Sequence, residues 1–181
     1  MFTPILSAVA ESVSLEIPDL VLLLIHRAGG RAGFSGVTRL EKLLFLLDRE
    51  GSLTESTEVP HFEAYKYGPF SQDVYDALEF LRSIDLMEAD ESDDRDETAE
   101  MNELAPDVAA PYAAKRLRLT PRGLKVVAKL MASAPPTTLA AIDSVVSSYG
   151  RMPLRELIEY VYRKYPSYTS KSLIRRQVLG Y

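Results

Sequence analysis

The sequence predicts a mostly helical α+β fold, on three observations. Apolar residues recur at helical spacing through most of the chain, two short segments alternate as strands do, and Gly and Pro punctuate the boundaries between them. With 181 residues, 46% of them hydrophobic, the chain can bury one substantial core and a helical appendage.

Pro18, then Leu20, Leu23 and Leu24, then Gly29-Gly30 describe a short helix with proline in its first turn and glycine after its last. It has no polar face, so it belongs in the core. Thr38 and Glu41 have the capping-box spacing that opens a second helix. Leu40, Leu43, Leu44 and Leu47 form its buried stripe, Phe45 and Leu46 widen it, and Gly51 ends it. A polar loop closes at Pro60, and Phe62 to Tyr67 reads as a short strand broken by Gly68-Pro69. Ser71 offers an N-cap oxygen and Asp73 a first-turn acid for a third helix starting near Gln72, with Val74, Leu78, Leu81 and Ile84 or Asp85 inward.

After an acidic connection, Lys115 to Leu119 alternates as a strand, and Thr120-Pro121 caps a helix with Leu124, Val127, Ala128 and Met131 inside. Helix, short strand, acidic connection, strand and helix, in that order, predict a winged-helix-like core with a short two-stranded wing. Pro135-Pro136 reads as a linker. Beyond it, the stripes Leu139 to Tyr149 and Leu154 to Val161 predict a C-terminal helical hairpin followed by a basic tail. The expected organisation is a winged-helix-like domain over residues 1–134, with an acidic wing loop at 88–107, and a hairpin with basic tail over 135–181 packed on it.

The formal charge of −5 conceals opposed blocks. Residues 88–107 hold ten acids and only Arg95, a net −9, whereas 108–181 hold thirteen bases against Asp143, Glu156 and Glu159, a net +10. The acidic loop is thus a candidate mask for the basic surface. The chain has no cysteine, which excludes disulfides and thiolate chemistry and agrees with a cytoplasmic location. Its greasiest run, Leu20 to Ile25, is too short to span a bilayer, and Met1 to Ala10 lacks the basic lead of an export signal. No membrane association is expected.

Catalysis finds little support. There are two histidines, His26 and His61, and no glycine-rich phosphate loop. A magnesium site from Asp19 and Glu63, with Lys66 on a phosphate, matches no established spacing. The expectation is a non-enzyme with no cofactor and no metal. A DNA-reading third helix meets an electrostatic objection: its outward face holds Gln72, Asp73, Asp76 and Glu79 with Arg82 alone as a base, so phosphates would be repelled. The candidate partner-binding surface is the corner Tyr65, Tyr67, Gly68, Pro69, Phe70 and Ser71 with Tyr75, Asp76 and Glu79, where aromatics stand beside charge. A second candidate surface, for nucleic acid or an acidic partner, comprises Lys115, Arg116, Arg118, Arg122, Arg163, Lys164, Lys171, Arg175 and Arg176.

Three segments in sequence, Leu43-Leu44-Phe45-Leu46-Leu47-Asp48, Tyr67-Gly68-Pro69-Phe70-Ser71 with Val74-Tyr75, and Leu119-Thr120-Pro121-Arg122-Gly123, together resemble the Panacea (SocA-type) antitoxin domain and related YwgA-like prokaryotic proteins. The resemblance spans roughly residues 36–165 and departs from the family at Tyr162-Arg163-Lys164-Tyr165-Pro166 and in the long acidic wing. It implies a non-catalytic regulatory module, antitoxin-like or associated with phage defence, that neutralises or recruits a protein partner such as a toxin or a defence-complex subunit. The alternative is a winged-helix transcription regulator that binds DNA through the basic C-terminal surface; whether the chain forms a homodimer is left open.

Overall fold

The computed structural model describes residues 14–30, 32–91 and 115–180. Most of the acidic loop, residues 92–107, lies outside them, as do Met1 to Ala10 and Tyr181. The described chain is mostly helical with two small antiparallel sheets: α1 (Ile17–Gly29), β1 (Phe34–Ser35), α2 (Val37–Glu50), β2 (Glu63–Tyr65), β3 (Gly68–Phe70), α3 (Gln72–Ser83), β4 (Met87–Glu91), β5 (Lys115–Leu119), α4 (Pro121–Ser133), α5 (Pro136–Tyr149), α6 (Leu154–Lys164), a 3₁₀ turn (Pro166–Thr169) and α7 (Arg175–Leu179).

Helix α1 is the axis of the core. Leu20 to Ile25 are buried without interruption because α2, α3, α4 and α5 all pack against this one helix. That is why its sequence shows no polar face. Glu16 and Asp19 cap it reciprocally, the Glu16 amide donating to the Asp19 carboxylate at 3.0 Å. Helix α2 also contributes ten buried residues between Val37 and Leu47, interrupted only at the partly covered Arg39. Its start differs from the expected capping box. Gly36, at φ +76°, occupies the N-cap, and Glu41 is drawn away from Thr38 to a partner across the core.

In the larger sheet, β5 lies between β1 and β4. The first residues of the expected acidic connection form β4, where Glu88, Asp90 and Glu91 stand opposite Arg118, Arg116 and Lys115. Opposite charges across a strand pair stabilise it, so the sign alternation favours this register. Ion pairs join Glu91 to Lys115 and Asp90 to Arg118. At the corner after β5, the Thr120 hydroxyl accepts from the Gly123 amide at 3.0 Å and donates to the Asp85 carbonyl at 2.7 Å. A Cβ on Gly123 would lie 2.0 Å from the Leu86 carbonyl oxygen, so α4 approaches the α3–β4 turn only as closely as a glycine allows.

The Pro135-Pro136 linker is a helix start: Pro136 takes the first position of α5, where its missing amide is no loss. Ile142, Val145, Leu157, Ile158 and Val161 then join the same buried cluster as α1 and α2. No described helix is long and apolar enough to cross a membrane.

Candidate functional site

The second sheet, the hairpin β2–β3, carries the Tyr-Gly-Pro-x-Ser corner and is held from below by α2. Lys42, 1% exposed, donates from Nζ to the Pro69 carbonyl oxygen at 2.8 Å. Its neighbour Glu41, 5% exposed, accepts from the Ser71 amide at 3.2 Å. Consecutive residues of one helix thus clasp two backbone groups of the corner. Both ionisable groups feel the loss of water. Burial raises the Glu41 carboxyl to about 7 against the attraction of Lys42 and the Ser71 amide bond. Burial lowers the Lys42 ammonium despite the Glu41 charge.

The corner is closed from the other side by Tyr162 of α6. Gly68 has φ +90°, and a Cβ there would stand 2.7 Å from the Tyr162 ring. The Tyr162 hydroxyl lies 2.8 Å from that of Ser172, and the Leu173 amide donates to the Lys66 carbonyl at 2.9 Å, docking the C-terminal turn on the hairpin turn. Gly68, Pro69 and Ser71 are therefore buried, and their role is to set the corner's shape. The Ser71 hydroxyl occupies the N-cap of α3 without making the expected cap bond.

What this framework displays is aromatic. Tyr65, 41% exposed, packs on Phe70 with ring centroids 4.8 Å apart, and Phe70 packs on Tyr75 at 5.5 Å. Tyr67 is half-buried in the turn between β2 and β3. The ladder runs onto α3, whose exposed ridge continues with Asp76 and Glu79 and with Phe80, 51% exposed. Gln72 donates to the Asp76 carboxylate at 2.9 Å, whereas Asp73 accepts from the His61 amide at 2.8 Å. Burial, with the Glu41 charge nearby, holds the Tyr75 phenol well above its usual range, so this aromatic stays neutral.

The second candidate set divides into separate groups. Lys115, Arg116 and Arg118 lie on β5: Lys115 and Arg118 are paired with the acids of β4, and Arg116 donates to the Ala32 carbonyl at 3.4 Å. Arg122 faces Asp85 at 3.6 Å. On α6, Arg163 pairs with Glu159 at 2.8 Å and Lys164 with Glu50 at 2.9 Å. Lys171, Arg175 and Arg176 are exposed near the C-terminus.

Several residues escaped sequence reading. The Glu41-Lys42 pair had one signal, two charges inside an apolar helical run. Phe80 was an outward aromatic on an otherwise polar ridge. Glu50 is a third case: its carboxylate accepts from the hydroxyls of Tyr149, Tyr160 and Tyr165 at 2.7, 3.1 and 2.9 Å as well as from Lys164. Burial of Glu50 acts to raise its pKa, but the hydrogen bonds from Tyr149, Lys164, Tyr165 and Tyr160 outweigh it, and the net shift is downward. This cluster bolts α5 and α6 to the end of α2. Its members are far apart in sequence, so no spacing announces it.

Asp19, assigned above to the α1 cap, is taken out of any acid cluster with Glu63, and among the described residues no group of acids and histidines is arranged to hold a metal ion. No curated protein matches the chain. The family model described as antitoxin SocA-like, Panacea domain, matches residues 40–166, which include the clasp, the corner, the ladder and the Glu50 cluster; the chain belongs to this antitoxin-like family.

Proposed function

We propose that this protein is a non-catalytic regulatory module that binds a protein partner, as an antitoxin or defence-complex subunit does, through the Tyr65–Phe70–Tyr75 ladder and the adjoining ridge of Asp76, Glu79 and Phe80. The observation that carries the reading is the combination of exposed aromatics with a rigid mount: Lys42 and Glu41 fix the corner from within, so the ladder is presented with little ordering cost on binding. Exposed Tyr65 and Phe80 beside the solvent-facing carboxylates of Asp76 and Glu79 suit a basic protein surface, where the rings fill pockets and the charges orient the approach. On this reading α3, β4, β5 and α4 form a winged-helix-like unit turned to protein recognition. The ion pairs on β5 count against DNA binding by the wing, because cations already matched by Asp85, Asp90 and Glu91 release fewer counterions on meeting phosphate.

The test is affinity capture from the native host with the wild type and a Phe80→Ser, Glu79→Lys variant, read by quantitative mass spectrometry. A protein recovered near stoichiometric amounts by the wild type and lost with the variant supports the reading. Equal recovery by both would sink it.

A further inference from the structure

A second exposed surface lies where the hairpin turn and the C-terminal turn meet. The Leu173 amide bonds the Lys66 carbonyl, which places Tyr65 and Lys66 beside Lys171 to Leu173. Leu173 is 64% exposed, the most exposed large hydrophobic residue among the described residues, and its neighbour Ile174 is buried at 3% and anchors the turn. Lys66 on the bonded hairpin turn, and Lys171, Arg175 and Arg176 within three residues of Leu173 in the chain, are all exposed, and none forms an ion pair with a described residue. Lys66 makes only a cation–π contact with Tyr65, 5.8 Å from the ring centroid. Of the two acids on α6, the helix on which α7 packs, Glu159 is held by Arg163 and Glu156 is exposed. Elsewhere Lys115, Arg118, Arg122, Arg163 and Lys164 have acids opposite them, whereas Lys125 and Lys129 of α4, like this cluster, form no ion pair with a described residue. This cluster is left positive around an exposed leucine.

We infer that this patch binds an acidic polypeptide segment bearing a large apolar side chain, with carboxylates at Lys66, Lys171, Arg175 and Arg176 and the apolar group on Leu173. It is separate from the acidic ridge of α3 and takes the opposite charge, so the protein has two docking surfaces of unlike chemistry. A polypeptide fits better than nucleic acid for two reasons. Leu173 offers nothing to a phosphate and gains only when another apolar group covers it. Tyr65 is already stacked on Phe70 and approached by Lys66, which leaves it a poor platform for a base. A short segment also avoids the carboxylates of α3 that a long polyanion would meet.

The experiment is fluorescence anisotropy of the full chain at physiological salt with three labelled probes: a short peptide alternating Glu with Leu, the same peptide with Ser for Leu, and an oligothymidine strand. The Glu/Leu peptide is expected to bind saturably, and Leu173→Ser and the double variant Arg175→Ala, Arg176→Ala are each expected to weaken it by about tenfold. All three changed side chains face solvent, and Gly68 and Ile174 keep the turn in place, so the variants retain the fold. Equal binding of the Ser peptide, unchanged binding by the variants, tighter binding of the oligothymidine, or no saturable binding of any probe would each overturn the inference.

Discussion

The ammonium of Lys42 donates to the carbonyl oxygen of Pro69 at 2.8 Å within the core, joining the middle of α2 to the turn that presents the aromatic ladder. A buried lysine is costly, and its removal leaves a buried carbonyl without a donor and Glu41 without its neighbouring charge. Lys42→Met, which keeps the aliphatic volume, is expected to lower the unfolding free energy by about 3 kcal/mol in urea titration. A change within a few tenths of a kcal/mol would mean that the clasp contributes nothing to stability.

The pH dependence of Glu41 follows from its raised pKa. The fold binds a proton on this carboxyl more tightly than the unfolded chain does, so its contribution is full below about 4.5 and is lost as pH rises towards about 7. Glu41→Gln keeps an acceptor for the Ser71 amide and removes the titration. Relative to wild type, the variant should gain stability across that window, on the order of 2 kcal/mol, in urea midpoints measured at successive pH values. A flat difference would place the carboxyl at its ordinary pKa.

Two glycines are required by shape. At Gly68 an added methyl meets Tyr162 in a backbone conformation that L side chains rarely adopt, and at Gly123 it meets the Leu86 carbonyl. Gly68→Ala and Gly123→Ala should each cost roughly 2 kcal/mol or more in thermal or urea unfolding. Combining Gly68→Ala with Tyr162→Leu should relieve the steric part of the first cost and leave that of the second unchanged.

Around Glu50, burial of the Tyr165 phenol, its hydrogen bond to Glu50 and the nearby negative charge push its pKa up to about 12. Glu50→Gln removes the charge while keeping an acceptor. Ultraviolet titration should then show this tyrosine ionising at lower pH, closer to the ordinary value of about 10. An unchanged titration would assign the shift to burial alone.

Most of the architecture was legible because it is written locally. Proline and glycine mark the ends of α1, α5 and α6, the β5–α4 corner is announced by Thr120-Pro121, and the stripe of α6 and Val74, Leu78 and Leu81 of α3 face the core as their spacing requires, whereas Ile84 and Leu124, expected inside, are exposed because each lies at a helix end. The start of α2 was misread because the Thr38 and Glu41 spacing is local, whereas the force acting on Glu41 comes from Ser71, thirty residues away. The short strand before the acidic connection was expected, but its reach into that connection was not, since Glu88 to Glu91 have poor strand propensity alone and pair because Lys115 to Arg118 stand opposite. The corner residues of the candidate site were visible as a motif. Their division into buried mount and displayed ladder was not, since it depends on Lys42 and Tyr162 converging from two other helices.

The most direct measurement is a calorimetric titration of the purified captured partner into the wild-type protein and into the Phe80→Ser, Glu79→Lys variant. Docking on the ladder and the α3 ridge predicts saturable binding by the wild type and a loss of affinity of about a hundredfold in the variant, the size expected for removing a buried aromatic anchor and reversing a neighbouring charge. Equal affinity for both proteins would contradict it and place the partner elsewhere on the molecule.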